Sequence, residues 1–343
     1  MNSAPHAIVE INGFQWDSFK HESLFQKVSV ELATGEASMA TWTCVDERFA
    51  IADKYAGIAA DTNTLPVIRT WLGYGDALGE PVFKGLVARL ERGRTTTTLR
   101  AYDMSYRMRL VEKAEYHKGT GLEIIQRLVE RNGLNFKGPE KPLKLEPHKA
   151  NTQDHMTDWQ YAAEMAHDEG LVLWTRGDTV FAGYPAKVSN FPKVILSRDQ
   201  VFILNDYDLQ FKVPENVHGR PKGIEVRGRG RGGKRLTGKS DEAQRGREVI
   251  RAKKDLAMHT QQRATARAQA QKELDREHAF DVTISTLFAP TLEFRADVRD
   301  TVHLQQFGKL FSGDYLIDKL THDLDAEGHF STRYELYRDV KES

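Results

Sequence analysis

The sequence predicts a mainly β protein: two antiparallel β sets, a small α+β insert between them, and a charged helical excursion within the second set. Three observations carry this prediction. Short runs of alternating apolar and polar residues, cut by Gly, Pro and Asn, fill roughly the first hundred residues and return after the insert. Two helix signatures, each with a capping box and a closing glycine, stand between those β regions. The crossover helices that a parallel sheet needs are missing.

Ile8–Ile11 and Phe14–Trp16 flank Asn12-Gly13, the dipeptide suited to the positive φ angles of a type I′ turn, so residues 8–16 read as a hairpin. Gln26–Leu32 alternates as a strand with one buried face should. Further strands are expected at Ala37–Val45, Val67–Tyr74, Val82–Leu90 and Thr95–Tyr102, with a short helix at Arg48–Gly57. Such a set of short strands suits an antiparallel barrel or sandwich.

The pattern changes at about Ser105–Val111. Thr120-Gly121-Leu122-Glu123 is a capping box, Leu122, Ile125, Leu128 and Val129 form a helical stripe, and Gly133 closes it. Asn132–Ala150, with three prolines, reads as an extended linker. Thr157 and Gln160 form a second capping box. Trp159, Ala162, Ala163 and Ala166 give a packing face, and Gly170 ends the helix. Leu171–Thr175 and Thr179–Ala182 then form a hairpin around Arg176-Gly177-Asp178.

Val194–Phe211 returns to β character, and Gly223–Arg227 is a short strand. Ser240–Glu277, rich in Ala, Gln, Arg, Lys and Glu, reads as mostly helix, although its first half could equally be a disordered loop. The last β set comprises Phe280–Ser285, Thr291–Ala296, Thr301–Leu304, Tyr315–Leu324 and Phe330–Arg338. On the fourth of these, Tyr315 and Ile317 are expected on one face, with Leu316, Asp318 and Leu320 on the other.

Composition narrows the function. Charge is balanced, 49 Lys+Arg against 49 Asp+Glu, which argues against a global affinity for nucleic acid or anionic membrane. One cysteine, Cys44, excludes an intrachain disulfide framework and fits a reducing compartment. The N-terminus lacks the basic start and apolar stretch of a secretory signal, and no run approaches a membrane span, so no membrane anchor is expected.

No catalytic constellation stands out. Gly228–Gly233 formally matches G-x-G-x-x-G, but a dinucleotide site needs that motif to join a strand directly to a helix. The histidines are scattered without ligand spacing, and His167-Asp168-Glu169 sits where a helix C-terminus favours histidine. G-x-S-x-G is absent, and pairs such as Asp323/Asp325 or Glu169/Asp178 are unremarkable in a chain of this size. No catalytic residue, cofactor or metal is expected. The strongest charge cluster is the run holding Arg227, Arg229, Arg231, Lys234 and Arg235. Nucleic-acid binding would want aromatic residues among these cations, and none lies between Val217 and Lys253. A loop contacting a protein partner or lining a channel suits the run better, with Gly223–Lys253 mobile in the free protein and ordered at that partner.

The order of pieces carries a resemblance. Thr157–Trp174 (TDWQYAAEMAHDEGLVLW) and Gly313–Leu336 (GDYLIDKLTHDLDAEGHFSTRYEL) are similar to two motifs of the phage late control D, or baseplate hub, family of contractile tails, and to the hub module of VgrG. Tyr315, His322, Gly328, Thr332 and Leu336 fall on matching positions. The family's glycine–aspartate before the final strands is met by Asp300 alone, and the basic run is foreign to the pattern.

The resemblance implies two related, tube-like antiparallel β-barrel domains, at 1–110 and at 194–236 with 279–343. The α+β insert then occupies 111–193, and the charged helical excursion 237–278. It further implies a non-enzymatic homotrimer in the virion tail baseplate, assembled in the host cytoplasm. Its partners would be the hexameric tail tube protein, a separate trimeric spike, baseplate wedge proteins and the tape measure protein, with no specific nucleic-acid binding. The alternatives are a tail-associated cell-wall hydrolase and a nucleic-acid-binding protein acting through the basic loop.

Overall fold

The computed structural model describes residues 5–18, 25–47, 51, 53–55, 65–74, 79–140, 148–184, 193–201, 209–213, 223–229, 235–239, 249–251, 256–257, 265, 268, 279–286 and 296–339. The first β set comprises β1 (Pro5–Ile11), β2 (Phe14–Asp17), β3 (Phe25–Ala33), β4 (Met39–Val45), β5 (Val67–Tyr74), β6 (Phe83–Arg92) and β7 (Thr96–Asp103). A 3-10 helix, Met104–Arg109, leads into the insert. The insert holds β8 (Glu112–Gly119), α1 (Gly121–Arg131), β9 (Asn135–Lys137), β10 (His148–Thr157), α2 (Asp158–Asp168), β11 (Val172–Arg176) and β12 (Thr179–Gly183). The second set runs through β13 (Val194–Ser197), β14 (Leu209–Lys212), β15 (Gly223–Arg229), β16 (Arg235–Lys239), β17 (Val249–Arg251), β18 (Leu256–Ala257), β19 (Ala279–Thr286) and β20 (Thr301–Gln305). It closes with the short α3 (Gly308–Phe311), β21 (Gly313–Asp325) and β22 (Phe330–Asp339).

The fold is mainly β with few helices, as the strand patterns predict. Local chemistry sets many of its elements. Asn12 and Gly13 adopt φ of +46° and +87°, giving the primed turn that matches the twist of β1 and β2. Both capping boxes form as read: Thr120 with Glu123, and Thr157 with Gln160, each side chain satisfying a backbone N–H left open at the helix start.

The two β sets are continuous. β1–β7 and, of the second set, β13, β14 and β19–β22 belong to one 13-stranded sheet, in which β21 pairs antiparallel with β3 from Lys319–Ala33 to Asp325–Lys27, while β15–β18 form a separate four-stranded sheet. Along that edge, the first part of β21 pairs instead with β20, while β22 lines the other edge. The change of partner coincides with a β-bulge. Ile317 faces Leu336 and Lys319 faces Glu335, so Asp318 is the extra residue. This corrects one sequence expectation. Tyr315 and Ile317 are buried, and after the bulge the buried side passes to Leu320, His322 and Leu324. Period-2 reasoning put Leu320 opposite Tyr315; one inserted residue reverses the phase.

A single hydrophobic cluster runs under both sets, from Val9, Trp42 and Leu72 to Val282, Ile317 and Leu336. The insert has its own core of Ile124, Ile125, Leu128, Trp159, Met165 and Val180, completed by Leu86, Met104 and Met108 from outside residues 111–193.

Other expectations need correcting. Asn132–Ala150 is not linker throughout: β9 pairs parallel with β12, and β10 begins at His148 and pairs with β8. The ribbon β8–β10 escaped the sequence reading because its strands are polar and carry no alternation. Within 237–278, read as mostly helix or, in its first half, equally as a loop, β17 and β18 are strands that pair parallel with β15, while Thr265 and Ala268 are helical. Cross-strand pairing overrides local helix propensity there. The same pairings place parts of Gly223–Lys253 in a four-stranded sheet in which Val226 and Leu236 are buried. Parallel pairs also occur between β13 and β20. Of the helix expected at Arg48–Gly57, Ile51 and Asp53–Tyr55 are helical and the rest lies outside the described residues, as do residues 291–295.

Candidate functional site

The basic run forms the ends of a hairpin. Arg227 and Arg229 lie on β15, and Arg235 opens β16 directly opposite Arg229. Arg231 and Lys234 lie outside the described residues. Arg227 Nε donates to Glu225 Oε1 at 2.6 Å, and Lys239 approaches the same carboxylate at 3.8 Å. Arg235 is exposed. The strand before Gly228–Gly233 thus meets an antiparallel strand after it, where a dinucleotide site needs a helix.

The acidic pairs are engaged in structure. Asp178 binds Lys84, Glu169 accepts from the Gly121 N–H at 3.1 Å, and Asp323 pairs with Lys27 at 3.3 Å. Glu169 therefore sits on the N-terminus of α1, where the helix dipole favours a negative charge. His322 is buried against Thr332 at 2.9 Å, and His329 lies 3.1 Å from Asp325 across the β21–β22 turn. Among the described residues, no group of three or more His, Cys, Asp or Glu is arranged to hold a metal. No described helix is long and apolar enough to cross a membrane.

The strongest polar constellation is one that sequence reasoning missed. Asp158, the first residue of α2, is 2% exposed and gathers four elements. Arg131 Nε at the end of α1 donates to it at 2.8 Å, with Nη2 making a second bond. Asn132 donates at 2.7 Å, Gln153 on β10 at 3.1 Å and Lys113 on β8 at 3.2 Å. Burial by itself would raise the Asp158 pKa; the Arg131 fork and the other donors outweigh it and hold the carboxyl well below its ordinary range. Arg131 also donates to Glu115 at 2.6 Å. No open face is left for a substrate: the network is a knot tying the ribbon to both helices. The acid at the first helical position was visible in the sequence; its donors, far away in the chain, were not.

A second node joins the insert to the second β set. Arg299 has φ of +72°, and it precedes Asp300, at the position where the family resemblance would place glycine. Its guanidinium donates to Tyr184 O at 2.8 Å and to the Tyr337 hydroxyl, beside the Trp174 ring. We expect Arg299→Ala to be less stable than Arg299→Gly by about 1 kcal/mol, because both lose these contacts but only alanine keeps the left-handed strain. Denaturant midpoints of the two variants measure the difference.

The sequence matches no protein-family model and no curated protein. Solved structures do match it along its whole length. A tail protein from Neisseria meningitidis MC58 superimposes with a TM-score of 0.67 at 13% identity, covering 98% of this chain and 97% of the other. The fold is that of phage tail proteins. A 43 kDa tail protein of the Shewanella oneidensis prophage MuSo2 gives a TM-score of 0.65 at 12% identity, with 98% of both chains covered. An Escherichia coli component of the type VI secretion system, itself similar in structure to bacteriophage T4 tail proteins, gives 0.60 at 8% identity over 97% of this chain and 77% of its own.

Proposed function

We propose that this protein is a structural baseplate hub of a contractile phage tail or a related injection apparatus. In this reading it is a homotrimer that joins the hexameric tail tube to a separate trimeric spike. It resides in the virion tail after assembly in the host cytoplasm, beside baseplate wedge and tape measure proteins, and it performs no bond chemistry. The observation that carries the proposal is the likeness to tail proteins over 98% of this chain.

The architecture supports the same reading. Two β sets in one continuous sheet form a stiff protomer, and three such protomers present six β sets to a sixfold partner. The basic run of Arg227, Arg229, Arg231, Lys234 and Arg235 contacts, in this reading, a protein partner or the channel lumen. Light scattering on the purified chain, then electron microscopy after adding tube protein, tests this. A trimer that caps the tube as a ring is the expected result. A chain that stays monomeric at assembly concentrations and forms no ring overturns it.

A further inference from the structure

The turn of the β11–β12 hairpin, Arg176-Gly177-Asp178, carries opposite charges that reach opposite parts of the molecule. Asp178 pairs with Lys84 on β6, in the first β set. Arg176 Nε lies 2.8 Å from Asp297 Oδ2, in the turn before β20 of the second set. Three residues before Arg176 on β11, Leu173 O accepts from the Gly35 N–H at 2.7 Å, beside the point where Thr34 N donates to Asp318 O at the bulge. The hairpin therefore spans the seam at which β21 passes from β20 to β3.

Beneath this span the molecule is not close-packed. A cavity of about 220 Å³ lies between the start of β6, the hairpin turn and the Ala296–Asp297 turn, with buried Asp103 and His322 among its lining. The hydroxyl of Thr175, also buried and on its wall, has no hydrogen-bond partner among the described residues. A second cleft of about 320 Å³ opens on the other side of Lys84 and Asp178. Either side of this junction are dry cores, the large cluster under the sheet and the core of the insert. A contact held by part-exposed ion pairs over a cavity is weaker than a close-packed apolar core, and opens first.

We infer that Arg176-Gly177-Asp178 is a two-ended ionic strap that ties the insert hairpin to both β sets beside the β3–β21 seam, and that it releases before either core unfolds. The strap makes the junction sensitive to ionic strength, and this holds whether or not the chain is a tail hub. Hydrogen exchange on the full chain tests it. Raising salt from about 50 mM to about 1 M should speed exchange at Gly35, Asn135 and Leu173–Thr175 roughly three- to tenfold, with α1, α2 and β22 unchanged.

The double variant D178N/D297N should show that faster exchange already at low salt and gain little more from added salt. The swapped pair R176D/D297R should restore slow exchange at Gly35. Exchange at these amides that ignores salt in the wild type overturns the inference. So does exchange that rises together with the helices, which would mean that the junction and the cores open as one unit. The salt series uses the unmodified chain, so it decides the matter even if a variant does not fold.

Discussion

Asp158→Ala is expected to destabilise the insert by about 3 kcal/mol, as removal of one partner from a buried ion pair does. The cost comes from what is left behind. Arg131 keeps Glu115 at 2.6 Å, but the donors of Asn132, Gln153 and Lys113 lose the acceptor on which they converge. Asp158→Asn keeps the shape and one acceptor oxygen, so we expect a smaller loss, about 1–2 kcal/mol.

The pH dependence follows from the direction of the shift. The folded pKa of Asp158 lies below that of the unfolded chain, so its stabilisation is fully present above about pH 4 and is lost as pH falls from there through the folded value. Wild type and D158N should therefore differ most near neutral pH and converge in acid. Urea titrations at a series of pH values check this. A gap between the two that widens as pH falls below 4 would show that the carboxylate is not the charged centre of the network.

Trp159→Ala is expected to cost about 3–5 kcal/mol, the range for deleting a buried aromatic side chain. Trp159 is 3% exposed, packs in the insert core, and carries the Arg109 guanidinium 4.3 Å from its ring centroid. Arg109 is itself poorly solvated there, and burial lowers its pKa. Loss of the ring removes both the apolar contact and a cation–π partner. Thermal melts followed by near-ultraviolet circular dichroism would register it, and a loss below about 1 kcal/mol would place the ring outside the core.

The two residues are adjacent in the chain, yet only one role was legible from the sequence. Trp159 announced itself, because a capping box fixes where α2 starts and helical spacing then fixes the buried face. Asp158 shares the same helical turn and reads as an ordinary dipole-favoured acid. Its part depends on Arg131 and Lys113, which only the packing of α1 and β8 brings within reach. The basic run divides in the same way. Its charge was plain in the composition, while the approach of Lys239 to the Glu225 carboxylate that binds Arg227 required knowing how β15 and β16 pair.

The sequence alone determined whatever closes within a few residues: the Asn12-Gly13 turn, both capped helices with the glycines that end them, and the alternation of the main strands. The turn and the helices satisfy their own backbone hydrogen bonds locally, and alternation belongs to each strand's own side chains, so their residues suffice to specify them. Tertiary structure decided the joining of the two β sets through β3 and β21, the Asp318 bulge that turns Leu320 inward, and the conversion of polar stretches into the β8–β10 ribbon. A strand's hydrogen bonds are completed by another strand, and nothing in its own residues names which one.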